Sequence, residues 1–167
     1  MREQGDIGFI TDGGGRTAEV SAIARMLDLD SSSYILFASP HHDYLSEAKL
    51  NAEVPGRKRF FFVRNPMLLN VGFWRRCRLF LGGIADSFRV VTRHSFGGFI
   101  GLGTYLCIPV FFFARLRRIR CVFIESYTRV DDLSITGRVV YHLRLAQRIY
   151  VAHRQLQDRY PRVALVE

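Results

Sequence analysis

Short apolar runs alternate with helix-like segments along this chain, and that alternation constrains its fold more than any other feature. Tyr34-Ile35-Leu36-Phe37-Ala38, Phe60-Phe61-Phe62-Val63 and Cys121-Val122-Phe123-Ile124 are continuous apolar stretches of four or five residues. Strands buried on both faces read this way, as they do in parallel sheets covered by helices. Ile7, Phe9 and Ile10 form an earlier strand, Ile149-Tyr150-Val151 a later one, and Val163-Ala164-Leu165-Val166 a last strand or tail. Phe88 to Thr92 reads as a fourth strand. Between the runs, Val20, Ile23, Ala24 and Leu27 fall at helical spacing behind Thr17, which can cap that helix. Further helices are expected near 43–52, from Pro66 to about Ser87, over Leu106–Leu116, from Gly137 to about Leu145 and near 154–159. The class is therefore α/β, a Rossmann-like doubly wound parallel sheet. With 167 residues the chain makes a single domain over 1–167, large enough for a real core and too short for two.

Charge is segregated along the chain. Residues 1–56 carry 4 basic and 9 acidic side chains, residues 57–129 carry 14 and 2, and residues 130–167 carry 6 and 4. The middle third therefore faces something anionic: nucleic acid, lipid headgroups or a diphosphate substrate. Of the 24 basic residues 22 are arginine, the side chain that forks onto phosphate, although a GC-rich genome gives the same bias. No nucleic-acid reader motif is present, which argues against a nucleic-acid partner. The three cysteines form no CxxC pair and read as reduced thiols in a cytosolic protein. The first residues, MREQGD, hold no apolar signal core.

A membrane-associating region is expected over about 66–120. Ser95 to Ala114 is a run of 20 residues without a formal charge, long enough to raise a membrane span. Its four glycines, Pro109 and its place between two predicted strands argue against one. A shallower contact fits better. Leu68, Leu69, Val71, Phe73, Trp74, Leu79, Phe80 and Leu81, interrupted by Arg75, Arg76 and Arg78, describe an interfacial helix whose arginines meet anionic lipid. An ordinary core helix with a solvated basic face has the same pattern. The candidate membrane contacts are Phe73, Trp74, Arg75, Arg76, Arg78 and Phe80.

The first strand runs into Asp12-Gly13-Gly14-Gly15 and then a helix, a geometry in which free amides and the helix dipole favour an anion. Gly13 to Ala18 formally fits GxGxxA, but the second strand ends in Ala38-Ser39-Pro40 where a dinucleotide site expects an acid. No GK[ST] follows, so it is not a P-loop.

Gly14-Gly15-Arg16-Thr17-Ala18-Glu19 is similar to the GGHTAE turn of the PssD/EpsE-type bacterial polysaccharide glycosyltransferase subunits. The eukaryotic relative of that family is the membrane-anchoring subunit of the dolichol-linked N-acetylglucosamine transferase. Phe123-Ile124-Glu125-Ser126-Tyr127-Thr128-Arg129-Val130 and Leu133-Ser134-Ile135-Thr136-Gly137-Arg138-Val139-Val140-Tyr141 resemble its FIESxxRVxxxSLTGRLVY block. Tyr150-Val151 and Tyr160-Pro161 fall where the family has YVQW and YP. The resemblance implies the N-terminal, acceptor-side half of a GT-B glycosyltransferase such as MurG. A separate donor-binding, PssE-like subunit would complete it as a heterodimer or higher assembly. It further implies a UDP-sugar donor, a polyprenyl-diphosphate-linked glycan as acceptor, no cofactor and no metal. The place of action would be the cytoplasmic face of an anionic cell membrane, peripherally bound. The implied activity is hexosyl transfer in polysaccharide biosynthesis; the alternative is a non-catalytic anchor that activates the donor subunit.

Four positions depart from the family. Arg16 stands where a histidine is usual, Asp12 where glycine is common, and Ala152-His153 replaces Gln-Trp. An arginine cannot act as a base, but with Gly13, Gly14, Gly15 and Thr17 it can clamp a diphosphate. Glu125, at the carboxyl end of a strand, is the candidate catalytic carboxylate, orienting substrate or moving a proton; the alternative is an ion pair with Arg129. Ser134, Thr136 and Gly137 open a helix and either cap it alone or also hold a phosphate or the partner's nucleotide. With Ser126 and Arg129 they form the donor-side or partner-facing set. His41-His42 and Asp131-Asp132 lack the spacing of a metal site.

Overall fold

The computed structural model of the protein describes residues 6–12, 16–26, 33–37, 48, 52, 58–64 and 72–166. Its strands are β1 (Asp6–Thr11), β2 (Ser33–Phe37), β3 (Lys58–Phe62), β4 (Phe96–Leu102), β5 (Arg120–Ile124), β6 (Arg148–Val151) and β7 (Ala164–Leu165). All neighbouring pairs are parallel, in the order β3-β2-β1-β4-β5-β6-β7. The helices are α1 (Thr17–Met26), α2 (Phe73–Arg93), α3 (Cys107–Leu116), α4 (Ile135–His142) and α5 (Arg154–Arg159). This is the doubly wound parallel sheet that the alternation of runs predicts. Of the expected helix near 43–52 only residues 48 and 52 are described, both helical; the rest of it, the His41-His42 pair, and Pro66, Leu68, Leu69 and Val71 lie outside the described residues.

Side chains alternate across the sheet and feed two cores. Phe9 and Leu102 pack with Val20 and Ala24 of α1. Ile10, Phe99, Cys121 and Phe123 pack with Val91 of α2, Val110 and Phe111 of α3, and Val140 of α4. Burial holds the Cys107 thiol far above its usual range and pushes Cys121 up to about 12, so both are inert core groups.

Two expectations are corrected. Phe88 to Thr92 is not a strand but the last turns of α2, where Gly83, Ser87, Val90 and Val91 are buried at helical spacing. The hydroxyls of Ser87 and Thr92 donate to the carbonyls of Gly83 and Phe88, four residues back, at 2.7 Å each. The strand beside β1 is instead the glycine-rich Phe96–Leu102. Its glycines are explained by a neighbour rather than by local propensity. A Cβ on Gly101 would lie 2.4 Å from Cys107 Sγ and 2.8 Å from Phe111 Cζ, so the bare backbone lets α3 settle onto the strand. The 20-residue uncharged run is thus a strand, a turn and a helix. No helix among the described residues is long and apolar enough to cross a membrane. At its edges, the helix expected over Gly137–Leu145 starts at Ile135 and stops at His142.

Both α3 and α4 end in a left-handed residue that is not glycine. Arg118 has φ 58° and Arg144 φ 50°. Ile119 N–H donates to Ala114 O at 2.9 Å and Leu145 N–H to Val140 O at 3.0 Å, the six-to-one bonds of a Schellman ending. A side chain in this region costs about 1 kcal/mol that glycine avoids.

A forked ion pair fixes α2 against the end of β3. Arg64 donates to Asp86 from Nε at 2.7 Å and from Nη2 at 2.8 Å. The hydrogen bonds from Arg64 hold the Asp86 carboxyl below the usual carboxylate range. The contribution is therefore complete above the unfolded carboxylate pKa, near 4, and is lost as the pH falls through the lower folded value. Replacing Asp86 with Asn is expected to cost about 1 kcal/mol at pH 7, with the gap to wild type closing as the pH drops below about 4. Urea unfolding at pH 7 and pH 3 reads this; equal gaps at both would refute it.

Candidate functional site

The strand order places a topological switch between β1 and β4, because the chain leaves β1 towards β2 and β3 and resumes at β4 on the other side. Crevices outside the carboxyl ends of such strands are where open α/β sheets bind ligands. Arg16, one residue before α1, spans this one. Its Nη1 donates to the carbonyl of Leu102 at the end of β4, and its Nε lies 3.7 Å from Asp12 Oδ1. Its side chain is 27% exposed, so N–H groups beyond that single hydrogen bond remain for a ligand. Gly103 follows at φ +53°, with a Cβ position 2.8 Å from Arg16 Nη1. A side chain there would be both strained and in collision with the guanidinium. Gly13, Gly14 and Gly15 lie outside the described residues, and Thr17, read as the cap, is the first residue of α1.

Beside Arg16 the β4–α3 turn adds a residue the sequence reading missed. Thr104 is 2% exposed, and its Oγ1 is a buried side-chain oxygen without a hydrogen-bond partner among the described residues. An unpaired buried hydroxyl costs of order 1–3 kcal/mol, which a ligand or water reaching this turn would offset. Leu106 supplies no side-chain cap to α3; the N–H groups of Cys107 and Ile108 instead donate to Thr104 O at 3.1 Å and Tyr105 O at 3.0 Å, so the turn closes the helix start with its own carbonyls. The signal for it was a second strand, glycine and helix at Leu102-Gly103-Thr104, hidden because β4 itself reads as a loop.

Further along the edge, Glu125 directly follows β5 and is 4% exposed. Its Oε1 accepts from Ser126 N–H at 2.9 Å; its Oε2 accepts from Ser134 N–H and from Ser134 Oγ, both at 2.9 Å. Ser134 Oγ in turn accepts from Gly137 N–H at 3.0 Å and caps α4. Among the described residues no ion pair joins Glu125 to Arg129, which is exposed; the partner of Glu125 is the cap of α4. A Cβ on Gly137 would fall 2.2 Å from Glu125 Oε2. The Ser-x-x-Gly spacing thus serves a carboxylate buried against a helix start. Of the partner-facing set, Thr136 and Gly137 are buried and Ser134 is engaged in the cap, so a surface role falls to Ser126 and Arg129. Tyr127, Val130 and Ile135 lie exposed on the same rim.

The β5–α4 loop is braced from α5. His153 Nε2 hydrogen-bonds Tyr127 O at 2.8 Å, and the Tyr160 hydroxyl donates to Asp132 Oδ1. That bond holds the Asp132 carboxyl below its usual range, assisted by Arg159 and Arg138, each at 3.8 Å. Asp132 therefore acts as a strut. No group of three metal-ligating side chains occurs among the described residues.

Phe73, Trp74, Arg75, Arg76, Arg78 and Phe80 are all exposed on the first half of α2. Phe73 is 72% and Trp74 84% exposed, and Leu81 and Phe88 continue the apolar stripe along the helix. Phe112 and Leu116 extend it onto α3, which packs against α2 through Phe80 on Tyr105 and Phe88 on Phe113. A single stripe of this kind on a monomer marks an interaction surface.

The doubly wound parallel sheet, with its switch point between β1 and β4, has the fold of the N-terminal half of a GT-B glycosyltransferase. MurG of Acinetobacter baumannii is similar over 97% of this chain and 45% of its own, with a TM-score of 0.66 and 17% identity. LpCGTa in complex with UDP is similar over 95% and 47%, with a TM-score of 0.56 and 11% identity. A UGT transferase from Siraitia grosvenorii in complex with UDP is similar over 97% and 50%, with a TM-score of 0.54 and 12% identity. The chain thus spans about half the length of the solved structures it matches. No curated protein sequence matches it. Residues 7–166 match the family described as oligosaccharide biosynthesis protein Alg14 like, and the chain belongs to that family. The resemblance seen in the glycine turn and the Glu-Ser to Thr-Gly block is borne out in family and in fold.

The geometry at Glu125 generates a non-additive pair of substitutions. Gly137→Ala alone is expected to cost about 2 kcal/mol, and Glu125→Ala about 2–4 kcal/mol because two backbone N–H groups lose their acceptor. The double variant is expected to lose at least 1 kcal/mol less than the sum, since the alanine methyl then occupies vacated space. Denaturant unfolding of all four proteins reads the coupling; strict additivity would show that the two side chains do not meet.

Proposed function

We propose that this chain is the acceptor-binding, membrane-apposed half of a two-component glycosyltransferase. It moves a sugar from a UDP-sugar to a polyprenyl-diphosphate-linked saccharide. The observation that carries this reading is the crevice between β1 and β4, where the Arg16 guanidinium and the buried Thr104 hydroxyl converge. Both suit an anion, and a diphosphate supplies acceptor oxygens for them. The exposed aromatic and arginine side chains of α2 bring the crevice towards a bilayer surface that carries a lipid-linked acceptor.

In the reaction an acceptor hydroxyl attacks the anomeric carbon, the bond to the diphosphate breaks, UDP leaves with the electron pair, and the hydroxyl proton passes to water. The donor-binding half comes from a companion subunit, which the rim of Ser126, Tyr127, Arg129 and Ile135 meets across the cleft. Glu125, spent on two backbone amides and the Ser134 hydroxyl, acts as a positioning residue that fixes the β5–α4 edge. That same saturation favours a second reading, in which this chain binds acceptor and membrane and activates its companion without itself taking a proton.

Two measurements test the proposal. With the purified pair, Arg16→Ala is expected to lower kcat/KM for the lipid-linked acceptor by about tenfold or more, with the KM for UDP-sugar unchanged and Arg16→Lys keeping part of the activity. Unchanged acceptor kinetics in both variants would remove Arg16 from the site. Phe73→Ser with Trp74→Ser is expected to cut retention on anionic vesicles several-fold with thermal stability unaltered, since both side chains are exposed. Full retention would move the membrane surface elsewhere.

A further inference from the structure

At the opposite edge of the sheet, where β5, β6 and β7 begin, a cleft of about 380 Å³ opens between the ends of α3 and α4. Arg115, Arg144, Arg162, Tyr141 and Gln147 line it, and none of its lining residues carries a carboxylate. We propose that it is a second anion site, distinct from the β1/β4 crevice, that takes a phosphate group.

The donors are fixed in advance. Arg115 Nη1 donates to the carbonyl of Arg144. Arg162 Nη2 donates to Tyr141 O at 3.0 Å, and its guanidinium carbon lies 4.1 Å above the Tyr141 ring. Each of those guanidiniums spends one N–H on a helix-end carbonyl and keeps the others. Gln147 Oε1 accepts from Cys121 N–H at 2.5 Å, which leaves only the donor end of its amide for the cleft. Arg144 enters from the left-handed ending of α4, where glycine is the default and a side chain is strained. Charge at a helix end alone does not account for the cleft, because Arg118 offers the same charge from the same backbone conformation at the end of α3 and does not line it. Three guanidiniums and an amide N–H around one space match the oxygens of a phosphate. That phosphate belongs either to a lipid headgroup or to a free anion.

The contrast between the two left-handed arginines supplies the test. Arg144→Gly and Arg118→Gly each remove one positive charge and relieve the same strain, so both variants fold. Inorganic phosphate titrated into the full chain is expected to shift the backbone amide signals of residues 144–147. Arg144→Gly then weakens the fitted affinity about tenfold, while Arg118→Gly stays within about twofold of wild type. In a second arm, vesicles of phosphatidylglycerol in phosphatidylcholine are pelleted with each protein. Loss of retention specific to Arg144→Gly assigns the site to a lipid headgroup; phosphate shifts without such a loss assign it to a free anion. Equal losses in the two variants, or no loss in either arm, overturn the proposal.

Discussion

The close approach of α3 to β4 is the constraint on which the arrangement of this protein rests. Because Gly101 has no side chain, Cys107 and Phe111 pack where its Cβ would be. The helix can then start directly from the end of a strand in the middle of the sheet. That strand lies beside β1, so the turn leading into α3 faces the start of α1 across the switch point. A bulkier residue in β4 would push α3 outwards and disturb the turn that follows β4 beside β1. The core on that side of the sheet, from Phe99 through Phe111 to Phe123, depends on the same contact.

The two ends of the sheet are built for different work. At the carboxyl edge, polar groups are organised by backbone: Arg16 holds the end of β4, Glu125 holds the start of α4, and Asp132 and His153 tie the intervening loop to α5. Such pre-organisation suits a site that must recognise a charged group without rearranging. At the amino edge, arginines crowd the carbonyl ends of α3 and α4, where the helix dipoles favour positive charge. Basic side chains therefore gather in three places: Arg75, Arg76 and Arg78 on α2, Arg16 at the β1/β4 crevice, and Arg115, Arg144 and Arg162 at this lower cleft.

Much of the fold was legible because strands buried on both faces leave a continuous apolar signature. β5, β6 and α3 fall within a residue or two of their expected bounds. The failures share one cause. Phe88–Thr92 is β-branched and aromatic enough to pass for a strand, yet it sits in a helix whose hydroxyls bond back to its own carbonyls and whose valines face the sheet. Phe96–Leu102 contains three glycines and passes for a loop, yet it is a central strand because its neighbours need the missing side chains. Thr104 went unseen for the same reason, since its meaning depends on the strand before it.

The sequence alone determined the class of the fold, the family, the segregation of charge and the residue types available to grip an anion, because periodicity, motif spacing and composition are local quantities. It also named Arg16 and Glu125. Only the tertiary structure decided what those two do: one bridges the switch point, and the other is consumed by a helix cap nine residues ahead. Hydrogen-bond saturation and burial are properties of partners distant along the chain. No local pattern states whether a carboxylate will meet a substrate or a serine.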